Sequence, residues 1–180
     1  FYYSNSNSYD HIQNLLATLT TISLFIDLKN ISKDIFLDFK FPEGRGDITK
    51  LKYKGKIINF VDQSYNSNPL SLKTALINFA NIKSKNNSKH ILLGDMLELG
   101  KNSEYHHRLI TKVINKLKID KVHIYGKDIR ETYKGLRKNK KGLVLTDIFQ
   151  INDLINKRLS NNDYLMVKGS NSTGLNRYSK

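Results

Sequence analysis

From residue 46 onward, short apolar runs alternate with stretches of helical periodicity, and most of the runs close in an acid, a glycine or a lysine. The segments "ITKLKYKGKIINFVD", "HILLGD", "KVHIYG", "GLVLTD" and "DYLMVKGS" read as strands, the first as a hairpin-like pair turning near Gly55. Between them the spacing predicts a helix from Pro69 with Leu72, Ala75, Leu76 and Phe79 on one face. It predicts another near 103–117 with Leu109, Ile110, Val113, Ile114 and Leu117 together, and shorter ones over about 128–137 and 148–159. Strands alternating with helices predict an α/β fold, a mostly parallel sheet with helices on both faces. Such sheets bind ligands outside the carboxyl ends of their strands. Here those ends are Asp62, Gly94-Asp95, Gly126, Asp147 and Lys168-Gly169-Ser170.

The first 45 residues follow a different pattern. Ile12, Leu15, Leu16, Leu19, Ile22 and Ile26 have helical spacing over 11–26, with Asp10 as the expected cap, and a second short helix is expected over 30–37. "KFPEGRGD" then breaks the periodicity with proline and two glycines. The expected organisation is a helical segment over 1–45 and a second domain over 46–180.

The formal charge of +14 raises the question of nucleic acid. Lysine supplies 24 of the 30 basic residues, the lysines are scattered, and aromatics are not interleaved with them in an RNA-binding pattern. The run "RKNKK" at 137–141 reads as a solvated loop. The charge is expected to attract anionic small ligands instead. With no cysteine there is neither a disulfide framework nor a thiolate metal site. No apolar run approaches the roughly 18 residues of a membrane span, and the start lacks the pattern of a signal peptide. A soluble, cytoplasmic chain with neither nucleic acid nor membrane as partner is the expectation.

No self-sufficient catalytic motif is present. The chain has no G-x-x-x-x-G-K-[ST], and "VKGSNSTG" carries similar residues in the wrong order. G-x-G-x-x-G and G-x-S-x-G are absent too. His106 and His107 are adjacent, so on a helix they point apart, which favours a structural or surface role over paired metal ligation. What remains is a dispersed polar set: Asn14, Arg45, Asp62, Tyr65, Asn66, Asn68, Asp95, Lys168 and Ser170.

The order of these residues carries a resemblance. "VDQSYNSNPLSLKTAL", then "HILLGDMLELGKNSEYHH", then "YLMVKGSNSTGL" resembles the C-terminal part of the MurF-type Mur ligases, the UDP-N-acetylmuramoyl-tripeptide–D-alanyl-D-alanine ligases. The matching pattern is D-x-S-Y-N-A-N-P-x-S, L-G-D-M-L-E-L-G with a nearby S-x-x-x-H, and V-K-G-S, over residues 42–180. Residues 9–45 resemble the end of the family's central ATP-binding domain, with "HIQNLLATLTTISLF" similar to its H-N-x-x-N-A-L-A-A helix. His11 stands where that motif has its first Asn, and Asp10 where it has the preceding His.

The resemblance implies a Rossmann-like C-terminal domain at 46–180 and nucleotide contacts from Asn14, Arg45, Asp62, Tyr65 and Asn66. It places Asn68, Asp95, Lys168 and Ser170 on the substrate side. It implies an ATP- and Mg2+-dependent ligase of peptidoglycan precursor synthesis that joins D-alanyl-D-alanine to UDP-MurNAc-tripeptide. The family's P-loop, magnesium ligands and UDP-binding domain lie upstream of the matching region, so the chain is expected to be a C-terminal fragment, inactive alone, with no catalytic or metal-binding residue of its own. Two alternatives stand beside this reading: a non-catalytic Rossmann-like module that holds a nucleotide or dipeptide, and a Mur-type ligase for another amino acid.

Overall fold

The computed structural model describes residues 9–38 and 48–179, with side chains over 12–38 and 48–177. The chain divides into two compact units, residues 1–41 and 42–180.

The first unit contains helix α1 (Tyr9–Ser23). Asp10 lies inside its first turn rather than before it. Thr18 and Thr21 return their hydroxyls to the carbonyls of Asn14 and Ala17, four residues back. The expected helix over 30–37 does not form. A single 3-10 turn, Leu28–Asn30, is followed by a bend and hydrogen-bonded turns. Short polar side chains take the backbone donors there: Asp27 accepts from the Lys29 N–H and Ser32 from the Asp34 N–H. Such local bonds compete with a helix.

The second unit is a six-stranded sheet in the order β1-β2-β6-β3-β4-β5. Strands β1 (Ile48–Tyr53) and β2 (Lys56–Asp62) form an antiparallel hairpin, closed by Lys54 and Gly55 at positive φ. All other pairings, involving β3 (Lys89–Gly94), β4 (Lys121–Tyr125), β5 (Lys141–Leu145) and β6 (Tyr164–Lys168), are parallel. The crossovers carry α2 (Pro69–Asn81), α3 (Ser103–Lys116), α4 (Arg130–Lys134) and α5 (Gln150–Arg158). The α/β, mostly parallel expectation is therefore met.

The two faces of the sheet have separate cores, because alternate residues of each strand point opposite ways. Ile91, Leu93, Val122, Ile124 and Met166 meet Leu72, Leu76 and Phe79 of α2 and Ile110 and Ile114 of α3. Phe60, Leu92, Leu165 and Val167 meet Ile151, Leu154 and Ile155 of α5. The predicted face of α2 is buried in full. On α3, Leu109 lies outside the seam and is 38 % exposed, while His107 and Thr111 take buried places. Helix α4 is only five residues long, shorter than expected, and Gly135 closes it.

Two lysines seal the amino edge. Lys89 Nζ donates to the Ala80 and Ile82 carbonyls at the end of α2 (2.5 and 2.6 Å). Lys140 Nζ does the same for Leu117 and Ile119 after α3 (2.8 and 2.7 Å). Ammonium groups at helix carboxyl ends satisfy orphan carbonyls and oppose the negative end of the dipole. Burial pulls both ammonium pKa values below the usual lysine range. The run 137–141 is thus not wholly solvated, since Lys140 is buried.

A stacked pair of histidines lies under the α5 side of the sheet. The rings of His90 and His123 are 5.4 Å apart and nearly parallel, with His90 Nδ1 and His123 Nε2 separated by 3.1 Å. The Leu143 N–H donates to His123 Nδ1 (2.9 Å), so His123 carries its proton on Nε2 and donates to His90. Neither ring can gain a proton without breaking a bond. Burial, then His90, Arg158 and Lys121, push His123 from 6.5 down to about 3. Burial lowers His90 too, against Asp163 and Asp120. A folded pKa below the unfolded one means that the denatured chain binds the proton first. Stability present above pH 6.5 is therefore lost as pH falls from 6.5 toward 3. In urea titrations the chain is expected to be less stable at about pH 5 than at about pH 7.5. His123→Gln, which cannot titrate, is expected to narrow that difference, since every tenfold change in proton affinity on folding is worth about 1.4 kcal/mol. An unchanged difference in the variant would assign the acid sensitivity elsewhere.

Candidate functional site

Strand β2 ends in Asp62, which is buried and accepts the Ser64 N–H (2.8 Å) and hydroxyl (2.5 Å) on Oδ1. That fold-back starts the polar turn 63–68. The Asn66 side chain accepts the Ser67 N–H (2.7 Å). Asn68 then caps α2 in a reciprocal box: its side chain accepts the Ser71 N–H (2.8 Å), and its own N–H reaches the Ser71 hydroxyl (3.1 Å). Pro69 follows at the first helical position. Tyr65 projects outward, 47 % exposed.

Strand β6 brings Lys168 up beside this turn. The residue is 2 % exposed, and its ammonium donates to the main-chain oxygens of Asn66 (2.8 Å) and Gln63 (3.4 Å). Two residues on, the Ser170 N–H donates to the Asp95 carbonyl (3.0 Å), and its Oγ accepts the Leu97 N–H (2.9 Å) while reaching the Ser67 carbonyl (3.4 Å). Ser170 thereby joins the turn after β2 to the loop after β3. Ser67 Oγ is buried with no hydrogen-bond partner among the described residues.

Asp95, at the end of β3, holds the next loop. Its Oδ1 accepts the Ile129 N–H (2.7 Å) and its Oδ2 the Lys127 N–H (3.0 Å). Both oxygens are thus occupied by backbone. The β3–α3 loop is tied from below by His107, which is fully buried. Its Nε2 accepts the Met96 N–H (3.1 Å), so the other nitrogen carries the proton, which it donates to the Ser103 carbonyl (2.8 Å). The Ser103 hydroxyl donates to Asp128 (2.7 Å). His107 therefore has the structural role expected of it, and the S-x-x-x-H spacing is one helical turn bringing Ser103 under His107.

The structure brings Asp62, Asn66, Asn68, Asp95, Lys168 and Ser170 to one edge, with Tyr65 on the same turn. Asn14 is exposed on α1 in the other compact unit. Arg45 lies outside the described residues. The fixed charges suit an anion: a buried ammonium and the amino end of α2 converge, while Asp62 and Asp95 are engaged by donors. Among the described residues no group of three or more His, Cys, Asp or Glu is arranged to hold a metal ion. Ser64 and Ser67 were not singled out by sequence, and Gly126 only as a strand end. Their roles rest on side-chain-to-backbone bonds and close approach, which leave little mark on spacing.

Residues 44–171 match the family described as "Mur ligase, glutamate ligase domain". The chain belongs to the Mur ligase family. It is 30% identical over 173 residues to the UDP-N-acetylmuramoyl-tripeptide–D-alanyl-D-alanine ligase of Rickettsia prowazekii, covering 88% of this chain and 35% of the relative. It is 31% identical over 171 residues to the Buchnera aphidicola ligase of that name, covering 93% and 35%. The chain thus spans about a third of the length of these curated relatives. Among solved structures, the MurF ligase of Thermotoga maritima in complex with ADP aligns with a TM-score of 0.65 at 22% identity, over 90% of this chain and 34% of that one. MurF of Acinetobacter baumannii aligns at 0.69 and 22%, over 93% and 37%. These alignments show the fold, that of the Mur ligase C-terminal domain. No described helix is long and apolar enough to cross a membrane.

Asp95 and Gly126 supply a test of how the edge is held. Gly126 has φ +140°, and a Cβ there would lie 2.4 Å from Asp95 Oδ1. Gly126→Ala is expected to destabilise the domain by about 2 kcal/mol or more, combining strain with loss of two N–H···carboxylate bonds. Chemical denaturation measures it. A variant as stable as the parent would show that the Asp95 carboxylate is free to move aside.

Proposed function

We propose that this chain is the C-terminal domain of an ATP-dependent ligase that joins D-alanyl-D-alanine to UDP-MurNAc-tripeptide, preceded by the helical end, residues 1–45, of the central ATP-binding domain. The observation that carries the reading is Lys168: an ammonium buried at the carboxyl edge, aimed at the turn that carries Asp62, Tyr65 and Asn66. The motifs around it and the names of the relatives support the substrate assignment.

In this reading ATP phosphorylates the tripeptide carboxylate. The amine of the dipeptide attacks the acyl phosphate, the new amide forms, and inorganic phosphate leaves with its bonding electrons. The domain contributes positioning and electrostatics. Lys168 places positive charge where phosphate oxygens pass, and Ser170 sets the loop after β3 against the turn after β2. Tyr65 and Asn66 are assigned to nucleotide contact, as are Asn14 of the helical segment and Arg45 of the linker. Asn68 shapes the helix terminus, and Asp95 holds the β4–α4 loop from which substrate is approached. Asp62 Oδ1 and both Asp95 oxygens already accept hydrogen bonds from the chain, and among the described residues no group of three or more His, Cys, Asp or Glu is arranged to hold a metal ion. Magnesium chemistry is assigned to no residue of this domain.

The full-length protein with ATP, UDP-MurNAc-tripeptide and D-alanyl-D-alanine is expected to release phosphate only when all three are present. Equal turnover with single amino acids in place of the dipeptide would make it a Mur-type ligase of another specificity. Lys168→Met keeps the aliphatic stem and removes the charge. It is expected to lower kcat/KM by about a hundredfold, in line with a charged hydrogen bond of roughly 1.5–3 kcal/mol. Arg45→Ala is expected to raise KM for ATP by about ten- to a hundredfold, with Arg45→Lys recovering only part because the planar fork is lost. A sharp fall in Tm with unchanged KM for ATP would make Arg45 a structural tie.

A further inference from the structure

Each crossover helix ends at the amino edge of the sheet, where the next strand begins. A lysine seals each end. Lys89 and Lys140 close α2 and α3. Lys141 Nζ donates to the Lys134 carbonyl at the end of α4 (3.1 Å), and Lys56 Nζ to the Asn156 and Leu159 carbonyls at the end of α5 (2.6 and 2.8 Å). Four ammonium groups thus meet the fold's own need for cations at this edge.

The edge carries more than that need. Lys83 and Lys85 follow α2, Lys116 and Lys118 flank the end of α3, and Arg137 and Lys138 follow α4; all six are exposed. None of their side chains forms a hydrogen bond or a salt bridge among the described residues. The three loops that bear them adjoin one another, since β3, β4 and β5 are neighbours in the sheet. The Lys89 N–H donates to Asp120 (2.7 Å), while the Asn115 side chain bonds the Gly135 carbonyl (3.1 Å) and the Arg137 N–H (3.0 Å). Residues 82–89, 115–121 and 134–141 together hold eleven lysines and arginines against one acid, Asp120. Lysines scattered along the sequence are gathered by strand order into one patch. Strands β4 and β5 are five residues each, so at about 3.3 Å per residue the two edges lie about 17 Å apart. That is twice the Debye length of about 8 Å at physiological salt, so the aspartates of the carboxyl edge do little to neutralise the patch.

Its make-up favours one kind of partner. No aromatic residue occurs in the three segments, so a nucleic-acid base finds no ring to stack on. Five of the six cations are lysines, point charges without the planar fork that grips a single phosphate. Charge spread over three loops along a sheet edge suits an extended anionic plane. We infer that the amino edge docks on the surface of a bilayer containing anionic phospholipid, with these six side chains against the headgroup phosphates. No large apolar side chain is exposed in the three loops, so the association is peripheral, reversible and sensitive to salt. The carboxyl edge, with Lys168 and Ser170, faces away from the bilayer. The inference does not depend on the ligase reading.

Co-sedimentation of the full-length protein with vesicles tests it. The protein is expected to sediment with vesicles of equal parts phosphatidylglycerol and phosphatidylcholine at about 0.1 M salt, to be released at about 1 M, and to ignore pure phosphatidylcholine. Lys83→Gln with Lys85→Gln is expected to weaken partitioning about twenty- to thirtyfold, at about fivefold per basic residue. The pairs at 116 and 118 and at 137 and 138 are expected to do the same. Lys73→Gln with Lys101→Gln removes as much charge away from this edge and is expected to change little. Thermal unfolding of the three pairs is expected to match the parent, because the side chains bond to nothing in the domain. A parent that does not bind the mixed vesicles overturns the inference. So does binding unchanged in all three pairs, or an equal loss in the control pair, which would make net charge the cause. Duplex RNA that strips the parent from the vesicles, and is itself bound more weakly by the three pairs, makes the partner a nucleic acid and overturns it too.

Discussion

The pairing of β6 with two partners is the interaction on which the rest of this domain depends. β6 is the last strand in the chain and lies between β2 and β3, its register running Leu165 to Phe60 and His90, Met166 to Val61 and Ile91. Without it the hairpin has no parallel neighbour, and the β3-β4-β5 half has an open edge. Leu165 and Val167 complete one core and Met166 the other. The contact joins residues about a hundred positions apart, a long loop closure that only burial on both faces offsets. The same strand delivers Lys168 and Ser170, so the site and the fold form together.

Close backbone approach follows from that placement. The ends of β3 and β6 run side by side at Gly94 and Gly169, where a Cβ on Gly169 would stand 3.1 Å from the Gly94 Cα. The absence of side chains lets the 171–177 segment fold down onto the strand ends, with Leu175 filling the space. Glycine in "LGD" and "KGS" is therefore a packing requirement between two distant pieces of sequence.

Much of this was legible from sequence. The hairpin, the four crossover helices and the strand ends were readable because buried strands and amphipathic helices leave their periods in the apolar residues. The motif turn was readable as an acid, a tyrosine and asparagines before a proline. The missing helix over 30–37 was misread because Asp27 and Ser32 divert the backbone, an effect that apolar spacing does not record. The His90–His123 pair was invisible for another reason. It requires β3 to lie beside β4, and no local pattern marks a histidine whose partner is 33 positions away. The contact between Lys168 and Asn66 is likewise a product of strand order. Strand-end aspartates suggested ligand groups, yet Asp62 and Asp147 accept backbone N–H groups of the turn that follows, and Asp95 those of the neighbouring loop after β4.

That use of the aspartates decides the electrostatic polarity of the sheet. Each crossover helix starts at the carboxyl edge and ends at the amino edge, so positive dipole ends gather on one side and negative ends on the other. At the amino edge Lys89 and Lys140 commit their ammonium groups to the carbonyl ends of α2 and α3. At the carboxyl edge the helix starts are already positive, the aspartates are held in turns, and Lys168 adds a buried ammonium within reach of two loop carbonyls. A chain with a formal charge of +14 thus does not present it evenly. Lys89 and Lys140 oppose the negative ends of helices, while Lys168, bonded to loop carbonyls in the same way, lies at the edge where the positive ends gather.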